Sequence, residues 1–82
     1  MNLESDLIKE RGESYGHPRE NYSRLAQMVS GCFTHKLQED LTGSDMILVM
    51  QLIKVCREAH KHKQDNIDDG HGYWEVLEMW YD

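Results

Sequence analysis

The stretch Leu48-Val49-Met50-Gln51-Leu52-Ile53-Lys54-Val55-Cys56-Arg57-Glu58-Ala59 decides the fold. Its apolar residues recur at helical spacing, and no sustained alternation of the kind that makes a half-buried strand occurs in the chain. At about 100° per residue, Leu48, Val49, Leu52, Ile53, Val55, Cys56 and Ala59 fill an apolar arc of roughly 160°. Ile47 and Met50 extend the apolar surface beyond that arc, and Gln51, Lys54, Arg57, Glu58 and Lys61 occupy the remainder. An arc this wide needs packing on two sides. The segment therefore reads as the central helix of a bundle that also meets a second subunit, the alternative being an ordinary central helix of a monomeric bundle.

Working outward, Pro18 and the glycines at 12–16, 31, 43 and 70–72 punctuate the chain. Helices are expected at about 3–11, 18–36, 44–62 and 66–81. Pro18 suits a first helical position with His17 before it, and Ser44 is a good amino-cap. Gly12 and Gly43 mark expected chain reversals. The expected architecture is all-α: a single domain over residues 1–82, built as a compact, self-associating bundle of about four helices.

Composition narrows the function. Eighty-two residues supply a limited core, which in natural proteins is often supplemented by disulfides, a metal or self-association. Cys32 and Cys56 form no Cys-x-x-Cys pair, so both read as reduced thiols rather than as zinc ligands or a disulfide framework. His60 and His62 lie two apart on different faces, and no His-x-x-x-His pair exists. Fifteen acidic against nine basic side chains give a net charge of −6, which opposes direct binding to a nucleic-acid polymer. A small anion held by a few placed cations remains compatible, as does mimicry of nucleic acid. The amino terminus has no apolar signal-like run, and no segment reaches the ~18 consecutive apolar residues of a membrane helix. The expected location is cytoplasmic, with no membrane partner.

Polar residues at positions that the pattern assigns to the interior carry the chemistry. Arg11 projects between Leu7 and Ile8, and Asn21 falls beside Met28 and Cys32. Asp65 and Asp69, one turn apart, border an inner arc of Ile67, Tyr73, Trp74, Val76, Leu77, Trp80 and Tyr81. On the 18–36 helix the inner stripe is Tyr22, Leu25, Ala26, Met28, Val29, Cys32 and Phe33. A buried charge must be paired or coordinated, so Arg11, Asn21, Lys54, Arg57, Asp65 and Asp69 form a candidate inner constellation. One reading is a set of salt bridges that hold the bundle; the other is a ligand site, and the two overlap. Lys54 and Arg57, three apart, can grip one phosphate, the guanidinium as a fork and the ammonium as a point charge. Asp65 and Asp69 can share a Mg²⁺ completed by ligand phosphate oxygens. The Gly12–Gly16 turn offers backbone donors and the Tyr15 ring for a base. The aromatic tail from Tyr73 to Tyr81 reads as core or interface.

These residues carry a resemblance. Glu10-Arg11-Gly12-Glu13-Ser14-Tyr15-Gly16-His17-Pro18-Arg19-Glu20-Asn21 resembles the opening of a family of small phage and prophage proteins of unassigned function, in which Glu-Arg…Tyr-Gly-x-Pro-x-x-Asn precedes a helix. Leu52 to His60 is similar to its Lys-x-x-Arg helix, and Asp65, Asp69, Gly72 and Tyr73 match its closing Asp-x-x-x-Asp-x-x-Gly-Tyr element. The three ordered blocks cover nearly the whole chain and add Tyr73 to the candidate ligand set. The family is distantly similar to the all-α MazG-like nucleotide pyrophosphohydrolases, which hold Mg²⁺ on carboxylates of a helical bundle and act as oligomers. This chain has Lys54 and Arg57 where the first carboxylate pair of that pattern is expected, and keeps only Asp65 and Asp69.

The resemblance thus implies a nucleotide- or phosphate-ligand-binding protein. It is either a Mg²⁺-dependent pyrophosphohydrolase or an inactive relative that sequesters a nucleotide signal. A second expectation is a small acidic phage inhibitor that contacts a host defence or nucleic-acid-binding protein through Asp68, Glu75, Glu78 and Asp82. A third is a structural helical homodimer.

Overall fold

A computed structural model of the chain describes residues 16–82, which form three α-helices and no strand: α1 (Pro18–Cys32), α2 (Gly43–His60) and α3 (Gln64–Trp80). A short 3-10 turn, Thr34–Lys36, lies between α1 and α2. The all-α class follows from the helical periodicity of the sequence. The expected helix over 3–11, with Arg11, Gly12 and Tyr15, lies outside the described residues.

Helix α1 starts as its proline dictates. His17 holds extended backbone (φ −63°, ψ 136°), and its Nδ1 accepts from the Arg19 N–H at 3.2 Å. Gly16 just before it has φ +86°, a left-handed conformation that glycine adopts without steric cost. The helix stops at Cys32, short of the expected residue 36. Phe33 leaves helical geometry (φ −109°, ψ 17°) and is buried, while the Thr34 hydroxyl donates to the Ser30 carbonyl at 2.8 Å. The chain then tightens into the 3-10 turn.

Helix α2 is capped by Thr42 instead of Ser44. The Thr42 hydroxyl accepts from the Asp45 N–H at 3.2 Å, and the Asp45 carboxylate accepts from the Thr42 N–H at 2.9 Å. This reciprocal capping box satisfies two orphan donors and makes Gly43 the first helical residue, where a chain reversal was expected. Lys36 donates to both Asp45 oxygens, at 3.0 and 2.9 Å, and ties the 3-10 turn to the cap.

Helix α3 has no side-chain cap from its own preceding residue Lys63. Glu58 of α2 supplies the acceptor, taking the Lys63 N–H and the Asn66 amide, each at 3.0 Å.

Both α1 and α3 pack on α2, and have no packed seam with each other. The seams are polar at their centres. Among the described residues the buried apolar side chains are Phe33 and Cys56, whereas Asn21, Asp45, Gln51 and Asn66 are also buried. Several residues expected inside are exposed instead: Tyr22, Ala26 and Cys32 on α1, and Ile67, Trp74, Val76, Trp80 and Tyr81 on α3. The reason is geometric. With α1 and α3 on its two sides, α2 keeps two open faces, and Val55 and Met50 project from them. No helix of the described residues is long and apolar enough to cross a membrane.

Candidate functional site: the groove between helices α2 and α3

The α2–α3 seam is organised by two side chains of α2 that reach α3. Gln51 donates its Nε2 to the Gly70 carbonyl at 3.1 Å, with the side-chain amide packed over the glycine. Two turns on, Glu58 takes the Asn66 amide. Between and beside these contacts opens a cavity of about 470 Å³ whose wall includes Gln51, Lys54, Glu58, Asn66, His71 and Trp74. A second hollow of about 300 Å³ shares Gln51, Val55 and Trp74 with it and runs toward Phe33 and Lys36. A third, also about 300 Å³, lies between α1 and α2, where Val55 and Ala59 meet Arg24, Met28 and His60.

Charge along the groove is fixed by hydrogen bonds. Asn66, then His62 and the Lys63 N–H, donate to Glu58 and hold its carboxyl down at about 2. Asp45 is likewise lowered, first by the Thr42 backbone N–H and then by Lys36. The Lys36 ammonium is correspondingly raised by its bond to Asp45. Both carboxylates are thereby anchors of structure, with their oxygens already taken by donors.

The sequence-derived constellation is brought together in part. Lys54 reaches Asp69 at 2.7 Å, with side-chain exposures of 13% and 50%. Asp65 is exposed one turn before Asp69, Tyr73 is half-buried next to Gly72, and Arg57 is half-buried with its Nε enclosed. Asn21 does not join them. It is buried in the α1–α2 seam, where its Oδ1 takes the Cys56 thiol at 3.6 Å. Arg11 and Tyr15 lie outside the described residues. Among the described residues no group of three or more His, Cys, Asp or Glu side chains is arranged to hold a metal ion. Asp65 and Asp69 would therefore fit Mg²⁺ only as a carboxylate pair completed by ligand oxygens and water.

Five polar or aromatic residues of the cavity wall are not among the sequence-derived site residues: Gln51, Glu58, Asn66, His71 and Trp74. Gln51 and Glu58 carried a signal, being polar positions in a largely apolar helix, but nothing in their spacing tells a solvated position from one facing a glycine. Trp74 had been assigned to the core. Gln51 has a further property: Nε2 is engaged by Gly70, while Oε1 is buried and without a hydrogen-bond partner.

This arrangement offers one cation, one aromatic ring and one unmatched acceptor around a space within the ~300–1,000 Å³ of small-molecule sites. Comparison with known proteins adds lineage. The chain is 32% identical over 74 residues to the Gene 55 protein of Mycobacterium phage D29, an alignment covering 89% of this chain and 46% of that protein. The chain thus spans less than half the length of that phage protein. No solved structure matches. A family model described as a domain of unknown function, DUF6378, matches residues 2–80, and the chain belongs to that family.

Proposed function

We propose that the chain binds a small phosphate-bearing aromatic ligand of nucleotide type in the α2–α3 groove. The observation that carries this reading is the Gln51 side chain. The Gly70 carbonyl accepts from Nε2 and so fixes the amide orientation, leaving Oε1 as an enclosed, unmatched acceptor in a side chain that lines the cavity. An unmatched buried acceptor costs about 1–3 kcal/mol, which a ligand N–H can recover. Nucleobases carry such donors. Half-exposed Trp74 supplies a face for the base, a contact worth about 1–3 kcal/mol where stacking is complete. Lys54 supplies a point charge for phosphate once it exchanges Asp69 for the ligand. Mg²⁺, where used, would be held by Asp65 and Asp69 together with phosphate oxygens. MazG-like ancestry belongs to the same proposal, supported by the all-α fold and this carboxylate pair.

The test is a melting-temperature and Trp-fluorescence panel with nucleoside mono-, di- and triphosphates and cyclic oligonucleotides at millimolar concentration, with and without Mg²⁺. Binding raises the melting temperature, and the rise is lost in Lys54→Ala and in Trp74→Ala. No shift with any of these compounds would overturn the proposal. Pyrophosphate release in the same samples separates a pyrophosphohydrolase from a protein that only sequesters its ligand.

A second copy closing the open face around Val55 is the further part of this reading, favoured by the charge of its two borders. Arg24 is exposed on the α1 side, and Asp68 is exposed on α3. A two-fold axis running along α2 brings one copy's α1 border over the other's α3 border, joining opposite charges. Sedimentation should then show a dimer that weakens with salt; a monomer at every concentration refutes it.

A further inference from the structure

A second group of exposed apolar side chains lies where the last turn of α3 meets the start of α2. The Trp80 ring sits on Gly43, so closely that an added Cβ there would overlap it. This contact brings the last turn of α3 against the start of α2. Leu41 and Met46 lie on either side of Gly43 along the chain, Met79 and Tyr81 flank Trp80, and Leu37 follows the Lys36 that is tied to Asp45. All six apolar side chains are exposed, Met79 and Tyr81 at 72% and 76%. Isolated exposed apolar residues are ordinary, whereas a cluster of large ones marks an interaction site.

The charge around the cluster selects the occupant. Glu39, Asp40, Glu75, Glu78 and Asp82 are exposed within or next to its segments, and Lys36, the nearby lysine, has its charge matched by Asp45. Among the described residues, His35 is the other basic-type side chain next to these segments. A second copy of the chain would set these same five carboxylates against themselves under two-fold symmetry. Anionic lipid and nucleic acid are repelled for the same reason. A basic amphipathic helix satisfies both features: an apolar stripe at i, i+3, i+4 and i+7 for the cluster, and lysines or arginines beside it for the acidic border.

We infer that this cluster, centred on Trp80 over Gly43, is a docking surface for a basic amphipathic helix of another protein. The surface is distinct from the α2–α3 groove and stands whether or not the groove binds a nucleotide.

The experiment uses the full chain and a synthetic amphipathic peptide with one leucine face and one lysine face. Its counterpart carries glutamates in place of the lysines. Fluorescence anisotropy should show micromolar binding of the lysine peptide, weakened by salt, and none of the glutamate peptide. Met79→Ser with Tyr81→Ser should weaken it at least about ten-fold, as should Glu75→Lys with Glu78→Lys. Val55→Ser, on the other open face, should leave it unchanged. Circular dichroism checks that each variant is folded, and the two pairs of substitutions fail independently. Equal binding by all variants, or a dimer of the chain abolished by Met79→Ser with Tyr81→Ser, would overturn the assignment.

Discussion

Gln51 and Gly70 join α2 to α3 through an amide-to-carbonyl bond of 3.1 Å with both residues buried, beside the Asn66–Glu58 bond and the Lys54–Asp69 ion pair. The same bond leaves Gln51 Oε1 unmatched, so the feature that closes the helix pair also marks the groove. A buried polar side chain at the centre of a helix–helix seam is destabilising unless its partners are supplied. Here one partner is backbone, and the other is assigned to the ligand.

The glycines of α3 respond differently to substitution. A Cβ on Gly72 meets nothing within 4 Å, so Gly72→Ala should gain the helix propensity of alanine, about 0.5–1 kcal/mol. A Cβ on Gly70 lies 3.4 Å from Gln51 Oε1 and 3.7 Å from Nε2, an ordinary contact, so Gly70→Ala should be stabilising by less or neutral. Gly70→Leu should separate the helices and cost about 2 kcal/mol or more through overpacking. Thermal unfolding distinguishes the three, at roughly 4–8 °C per kcal/mol for a chain of this size.

Acid should loosen the α2–α3 turn through Glu58. Its folded pKa of about 2 lies below the unfolded value of 4.5, because Asn66, His62 and the Lys63 N–H bond the ionised form. A depressed carboxyl contributes stability that is full above the unfolded value and is lost as pH falls toward the folded one. Melting temperature should therefore fall between pH 4.5 and 2. Glu58→Gln should be less stable at neutral pH and show a shallower fall in that window. A residual slope is expected, since Asp45 is lowered in the same direction. An unchanged slope would remove Glu58 from the acid response.

The two thiols should titrate in two steps. Cys32 is exposed at the end of α1, whereas Cys56 is buried against Asn21. In the native protein a thiol reagent should modify one cysteine rapidly, and the second only on unfolding. Cys32→Ser should remove the fast step alone. A fast step that persists in that variant would show that the α1–α2 seam opens readily.

Helical periodicity encodes which residues share a face, and tertiary context decides the rest. The wide apolar arc of α2 and the start of α1 at Pro18 were readable, since each follows from helical spacing or from a residue with one preferred backbone role, whereas the Lys54–Asp69 ion pair was not named by any spacing. The cap of α2 was misread because Thr42 and Ser44 are both good caps; Asp45, three residues after Thr42, completes the box only from Thr42. The inward assignment of Ile67 and Trp74 failed for another reason. A helical wheel says which residues share a face, but not whether another element covers it. Gln51 escaped notice as a site residue because its importance depends on Gly70, nineteen residues away.

Asp69 is where the two roles proposed for α3 can be pulled apart. As the partner of Lys54, it competes with a ligand phosphate for the ammonium. As half of a carboxylate pair with Asp65, it assists Mg²⁺. The ion pair is half-exposed on the Asp69 side, so Asp69→Asn should cost no more than about 1 kcal/mol of stability. Without Mg²⁺, the variant should bind nucleoside triphosphate a few-fold more tightly, the change expected from releasing an exposed pair of this kind. With Mg²⁺, the added affinity that the metal confers on the parent chain should vanish. Asp65→Asn should lose the metal-dependent part while leaving metal-free binding unchanged, because Lys54 bonds to Asp69 and not to Asp65. Isothermal titration of the three proteins, with and without Mg²⁺, reads both effects. If Asp69→Asn binds as the parent does under both conditions, neither role of Asp69 stands.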